Sequence, residues 1–348
     1  MRPSRVRQLL EREFLAGLRG MHTPVMLWGP PGVGKSQLVA QVAAARSAAM
    51  IDIRLAQMEP TDLRGIPFRE GGDVVWSTPS LLPRESRDGD RGILFLDEIT
   101  SAPATVTAAA YQLILDRRLG DYRVPDGWSI VAAGNRLGDR GVTYQMPAPL
   151  ANRFAHFEVE PDLDDWVVWA HAHEIDPRLV AFLRFRPDLL FSFDPARASA
   201  AFPTPRSWEF ADRALANYAD DPALLADALA GCVGPAAGLA LQAFITHLGR
   251  LPDLDLILQG RATEAPAALD LQYAVASALI RRVARLPEVG REAAITHVLR
   301  YARRLSQREI SVMLVADLQR VTGSPLINNP AFSEWAQEAG GLLSDEHG

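Results

Sequence analysis

The spacing of apolar positions changes character near residue 160. Before that point, short apolar runs alternate with longer amphipathic stretches. Val25-Met26-Leu27-Trp28, Met50 to Arg54, Ile93-Leu94-Phe95-Leu96, Trp128 to Asn135 and the alternating Ala155 to Val159 have strand length. Val6 to Leu18 carries Val6, Leu9, Leu10, Phe14 and Leu18 on one helical face; Gln37 to Ala45 and Ala102 to Arg117 also have helical length. Near-continuous apolar strands separated by helices predict a parallel, doubly wound α/β sheet buried on both faces. Two candidate hairpins interrupt this rhythm. One spans Ile66 to Ser77 around Gly71-Gly72; the other spans Leu119 to Gly127 and is expected to turn at Pro125-Asp126-Gly127. Thr61 to Gly65 is expected to open a turn.

From Pro161 the strand signals vanish. Helical spacing covers residues 162–173, 177–185, 205–218, 221–229, 236–248, 267–285, 291–305, 307–323 and 330–338. The expected division is an α/β core over residues 1–160 and an all-helical region over 161–348.

Composition narrows the class. The 348 residues are 48% hydrophobic, which excludes a disordered chain. Net charge is −6, so no general basic surface points to nucleic acid. The single cysteine, Cys232, excludes an internal disulfide and a cysteine-based zinc site. No apolar run reaches the roughly 18 residues of a membrane span. The arginine-rich start carries Glu11 and Glu13 and lacks an apolar core, so it reads as a first helix rather than a signal peptide. A reducing, cytoplasmic setting fits these totals.

The strongest local signal is Gly29-Pro30-Pro31-Gly32-Val33-Gly34-Lys35-Ser36, followed by Gln37. It fits G-x-x-x-x-G-K-[ST] between a predicted strand and a predicted helix. Glycines let backbone N–H groups turn inward, and the helix adds its positive end, so the stretch is built to cradle phosphates. Lys35 would reach the β and γ phosphates, and Ser36 would put its hydroxyl on a magnesium ion. Lys35 is the only lysine in the chain; every other cationic side chain of that kind is arginine. A compact ammonium stands where one is wanted between phosphates.

Further candidates follow in order. The strand Gly92 to Leu96 ends in Asp97 and Glu98, at the edge where open α/β sheets bind ligands. Asp97 would hold Mg2+ and Glu98 would polarise an attacking water. Asn135, ending the Trp128 strand, would lie beside the Asp97 strand and orient water near the γ phosphate. Arg206 sits in a helix start bracketed by Pro203 and Pro205, where a cation opposes the helix dipole and needs an anionic partner. The histidines make no metal set. His171 and His173 are two apart on a helix, and His156 has a core or edge role.

Gly29 to Ser36, Ile93 to Glu98, Asn135, Arg153 and Arg206 occur in an order that resembles the AAA+ ATPases, and within them the MoxR branch. The resemblance covers roughly residues 20–250. It implies Walker A at Gly29 to Ser36, Walker B at Asp97 and Glu98, sensor 1 at Asn135, an arginine finger at Arg153 and a sensor 2 arginine at Arg206. Arg136, Arg140 and Arg178 are rival fingers. The hairpins look like the family's helix-2 insert and pre-sensor-1 hairpin, and the helical half like its lid, with a C-terminal extension beyond it. The resemblance further implies ATP and Mg2+ as ligands and a homo-oligomeric, six-membered ring. It also implies chaperone-like remodelling of a protein client, such as a von Willebrand factor A-domain partner. The alternative is a DNA-acting AAA+ motor or a GTP-driven restriction subunit.

Overall fold

The computed structural model describes residues 1–136, 138–139, 144, 146–194, 200–247, 251–262, 264–323 and 325–341. They form two compact units, one dominated by residues 1–162 and the other by residues from 163 onward.

The first unit opens with α1 (Pro3–Gly17), which buries Val6, Leu10 and Phe14 along one stripe. β1 (Val25–Trp28), α2 (Lys35–Ala45) and β2 (Ala49–Arg54) follow. Next come the short α3 (Pro60–Arg64), the hairpin β3 (Pro67–Glu70) and β4 (Asp73–Trp76), and a single turn, α4 (Glu85–Asp88). β5 (Gly92–Asp97), α5 (Ala104–Asp116), the small hairpin β6 (Arg118–Leu119) and β7 (Tyr122–Arg123), and β8 (Trp128–Gly134) lead to α6 (Ala148–Ala151) and β9 (Ala155–Glu158).

Five strands form one sheet in the order β2-β5-β8-β1-β9. Every neighbouring pair is parallel. Side-chain alternation divides the strands between two layers. Met26, Leu94, Leu96, Ile130 and Ala132 join Val106, Ala109, Ala110 and Leu113 of α5 in one core. On the other face α1 and α2 pack against each other and against the sheet. The sheet is thus covered by helices on both faces, which is why its strands read as unbroken apolar runs.

Two local expectations are corrected, the turn of the second hairpin and the end of the first helix. The second hairpin turns at Gly120-Asp121, between β6 and β7, and not at Pro125-Asp126-Gly127. Gly120 takes φ +59°, which a side chain would resist. Pro125 to Gly127 forms a separate turn into β8, where a Cβ on Gly127 would stand 2.0 Å from the Asp90 carbonyl oxygen. Thr61 to Arg64, expected to open a turn, lies in the helical turn α3, where Glu59 and Asp62 make a reciprocal capping box at its start. Leu18 lies past the end of α1 and is 41% exposed, off the apolar stripe expected of it.

The second unit is helical among the described residues. α7 (Leu163–Ala172), α8 (Pro177–Phe185), α9 (Pro205–Asn217), α10 (Pro222–Val233) and α11 (Pro235–His247) come first. Three of these starts share one signature: Asp176, Thr204 and Asp221 each cap a helix whose first residue is proline. α12 (Leu254–Leu258), α13 (Leu269–Ala284), α14 (Glu288–Ala302), α15 (Arg308–Thr322) and α16 (Pro330–Gly341) complete it. The five-residue α12 escapes the apolar pattern because its start is set by the Asp253 carboxylate, which accepts the Asp255 and Leu256 N–H groups. α13 joins two cores. Its Ala274 belongs to the cluster around Phe182, Trp208 and Leu241, while Val275, Leu279 and Val283 belong to that around Val298, Leu314 and Leu318. Beside them lies a buried ion pair, Arg184 on α8 with Asp317 on α15, at 2.5 Å. Arg320 adds a second contact to Asp317 at 3.1 Å. Burial alone would raise the Asp317 carboxyl. The His171 ring 3.7 Å away and the charges of Arg184 and Arg320 outweigh it and hold the group below its ordinary value.

Candidate nucleotide site

The loop between β1 and α2 is shaped by its glycines. Gly32 and Gly34 adopt φ +81° and +91°, in the left-handed region. Gly29 has no room for a side chain, since a Cβ would stand 2.7 Å from the Val159 carbonyl oxygen. Gly34 is the N-cap of α2 and offers no side-chain hydrogen bond to the first amides of that helix. Those amides and the positive helix end are therefore available to an anion.

Lys35 folds back into this loop. Its ammonium donates to the Gly29 carbonyl at 2.6 Å and the Pro30 carbonyl at 3.1 Å. It also donates to Asn135 Oδ1 at 3.0 Å, one hundred residues away along the chain. The sheet order explains the meeting. β8 lies directly between β1 and β5, so the residue leaving β8 sits next to the loop leaving β1. Ser36 donates its hydroxyl to Asp97 Oδ2 at 3.1 Å. One hard cation could touch both oxygens, and an all-oxygen set suits magnesium. The described residues hold no cluster of three His, Cys, Asp or Glu side chains that would bind a metal without a ligand's help.

Glu98 follows Asp97 with φ +58° and ψ +33°. Its own N–H donates to Asp97 Oδ1 at 2.9 Å. This left-handed residue turns the chain sharply, so the two adjacent carboxylates diverge: Asp97 faces Ser36 and Glu98 is exposed. A side chain held in that region at a strand end is the kind of strain found at working sites. Asp52, on the neighbouring β2, has its carboxyl raised, by desolvation first and then by the Asp97 charge.

Sequence reasoning overlooked Thr100. It is buried, accepts the Asn135 N–H at 3.2 Å and packs its methyl where a Cβ on Gly134 would sit. No local pattern could reveal it, because the contact spans 35 residues and exists only once β5 and β8 pair.

The arginines separate by partner. Arg136 is tied to Asp139 and Glu158. Arg178 is held by both oxygens of Asp176, whose hydrogen bonds raise its pKa. Arg140 lies outside the described residues. Arg153, between α6 and β9, is exposed, and its backbone N–H closes a turn on the Leu150 carbonyl. Arg206 belongs to the other unit, exposed in the first turn of α9.

A phosphate loop, an adjacent serine–aspartate pair and an asparagine from the intervening strand define a P-loop nucleotide-binding protein. Residues 24–154 match the AAA domain of the dynein-related subfamily. Over 145 residues the chain is 36% identical to Protein NorQ of Paracoccus denitrificans (strain Pd 1222), a match covering 39% of this chain and 52% of NorQ. The chain thus spans about half the length of that curated relative. Two solved structures are similar at 16% identity. They are a putative ATPase from Cytophaga hutchinsonii (89% of this chain, 88% of that one, TM-score 0.35) and NtrX from Brucella abortus in complex with ATP (96% and 68%, TM-score 0.39). Residues 24–154 are thus similar to an AAA domain, and the aligned stretch is similar to NorQ. No helix among its described residues is long and apolar enough to cross a membrane.

Proposed function

We propose that this protein hydrolyses ATP in a homo-oligomeric ring, in the cytoplasm, and uses the cycle to remodel a protein client, in the MoxR manner a von Willebrand factor A-domain protein. The observation that carries this is the convergence of Lys35, Ser36, Asp97 and Asn135 at the C-terminal ends of three adjacent strands. The loop from Gly29 to Gln37 binds the triphosphate with its amides, and Lys35 exchanges its loop carbonyls for phosphate oxygens. Ser36 and Asp97 would hold Mg2+, which would supply charge neutralisation at the phosphates. Glu98 takes a proton from the attacking water, and Asn135 orients that water near Lys35. Arg153 serves the site of the next subunit, and Arg206 serves as the nucleotide-sensing arginine. Arg153 is exposed and has no ion pair among the described residues, against the ion pairs of Arg136 and Arg178, which supports this choice of finger. The hairpin β3–β4 exposes Val74 beside its turn, Phe68 along β3 and Ile66 at its base, apolar surface suited to gripping a client.

The test is ATPase rate per subunit against protein concentration. The rate should rise as the ring assembles, and a flat profile refutes a finger supplied in trans. Glu98→Gln should still bind ATP while losing turnover by about a hundredfold or more, the low end of what a positioned base contributes.

A further inference from the structure

His156 is an exposed residue of the edge strand β9, yet both of its ring nitrogens are engaged. Trp28 Nε1 donates to His156 Nδ1 at 2.8 Å. An indole N–H can only donate, so Nδ1 must be unprotonated and the ring proton must sit on Nε2. That proton faces the Ala151 carbonyl oxygen at 2.7 Å. The two rings stack with centroids 6.0 Å apart and 18° between planes, and the buried Phe154 meets the imidazole edge-on at 6.1 Å. One side chain thereby bridges two parts of the machinery. Trp28 is the residue before Gly29, where the phosphate loop begins. Ala151 ends α6 and lies two residues before Arg153.

The end of β9 and the residue after it are tied to the same loop. Val159 N–H donates to the Trp28 carbonyl at 2.7 Å, and Glu158 pairs with Arg136, the neighbour of Asn135. A shift of the loop entry or of the residues after β8 is therefore transmitted to β9, and through His156 to the turn that carries Arg153. Resting on the finger reading above, we infer that His156 is a positioning residue. It locks the Arg153 turn to the phosphate loop of its own subunit, so the nucleotide state of one site sets the finger offered to the next.

The test uses the full-length protein above its assembly concentration, with ATP affinity read from a fluorescent ATP analogue and turnover at saturating ATP. His156→Leu should lower kcat about tenfold with ATP affinity changed less than about threefold, since a misplaced group costs rate rather than ground-state binding. Trp28→Phe, which keeps the ring and removes the donor, should act in the same direction and add little to His156→Leu. His156→Gln retains one acceptor and one donor and should restore most of the rate. Subunits carrying Glu98→Gln with His156→Leu, mixed into wild-type assemblies, should slow their active neighbours more than Glu98→Gln subunits do. Equal doping curves, no rescue by glutamine, or parallel losses of affinity and rate would each overturn the proposal. Arg153→Ala in the same mixtures separates the two readings. If it leaves neighbours at full rate, the finger assignment fails and this inference with it. If it slows them while His156→Leu does not, only the inference fails.

Discussion

Lys35→Arg keeps the charge and changes only the shape of the cation. The Lys35 ammonium reaches three acceptors at 2.6, 3.1 and 3.0 Å from one point: two loop carbonyls and Asn135 Oδ1. A tetrahedral ammonium can aim three protons at three such oxygens, whereas a planar guanidinium on the same stem can meet at most one or two. Phosphate oxygens arriving in that space present the same geometric demand. Losing two charge-assisted hydrogen bonds at about 1.5–3 kcal/mol each gives about 3–6 kcal/mol. Lys35 is only half-buried, so the lower end, about 3 kcal/mol, applies. That corresponds to a loss of about a hundredfold in nucleotide affinity. A titration with a fluorescent ATP analogue, with circular dichroism to confirm folding, measures it. An affinity within about threefold of wild type would refute the geometric account and reduce Lys35 to a bare charge.

Three further outcomes follow from the structure. Asp317→Asn strands the buried Arg184 guanidinium and should cost about 3–5 kcal/mol in denaturant unfolding of the helical unit. The wild-type Asp317 carboxyl is lowered in the folded state, so its contribution is complete above the ordinary carboxylate range. It is lost as pH falls through the depressed folded value, so the gap between wild type and variant at pH 7 should close in acid. Thr100→Val leaves the Asn135 N–H without its acceptor, which should cost about 1–3 kcal/mol and reduce turnover more than ATP affinity in steady-state kinetics. Gly29→Ala would set a methyl 2.7 Å from the Val159 carbonyl, and the forced shift, about 1–3 kcal/mol, should appear as weakened nucleotide binding.

Particular residues show where the sequence was legible. The phosphate loop could be read because its function is local: glycines, a lysine and a helix start lie within nine consecutive positions, each with a stated backbone need. Helix starts were legible wherever a capping side chain preceded proline, as at Asp176, Thr204 and Asp221. The turn of the second hairpin was misread because Pro125-Asp126-Gly127 carries stronger turn chemistry than Gly120-Asp121. The pairing of Arg118 with Arg123 and Leu119 with Tyr122, a non-local event, decided between them.

The amino-acid order alone determined where the sheet strands and most of the helices lie, that the strands are buried on two sides, and which loop is shaped to cradle phosphate. These follow from side-chain period, backbone conformation and short-range hydrogen bonds, all expressed within a few residues. Only the tertiary structure decided that Asn135 meets Lys35, that Ser36 meets Asp97, and that His156 joins Trp28 to the turn before Arg153. Strand order in a parallel sheet depends on crossovers whose partners are distant in the chain. Contacts spanning 61 to 128 residues leave no periodic trace and appear only when those crossovers close.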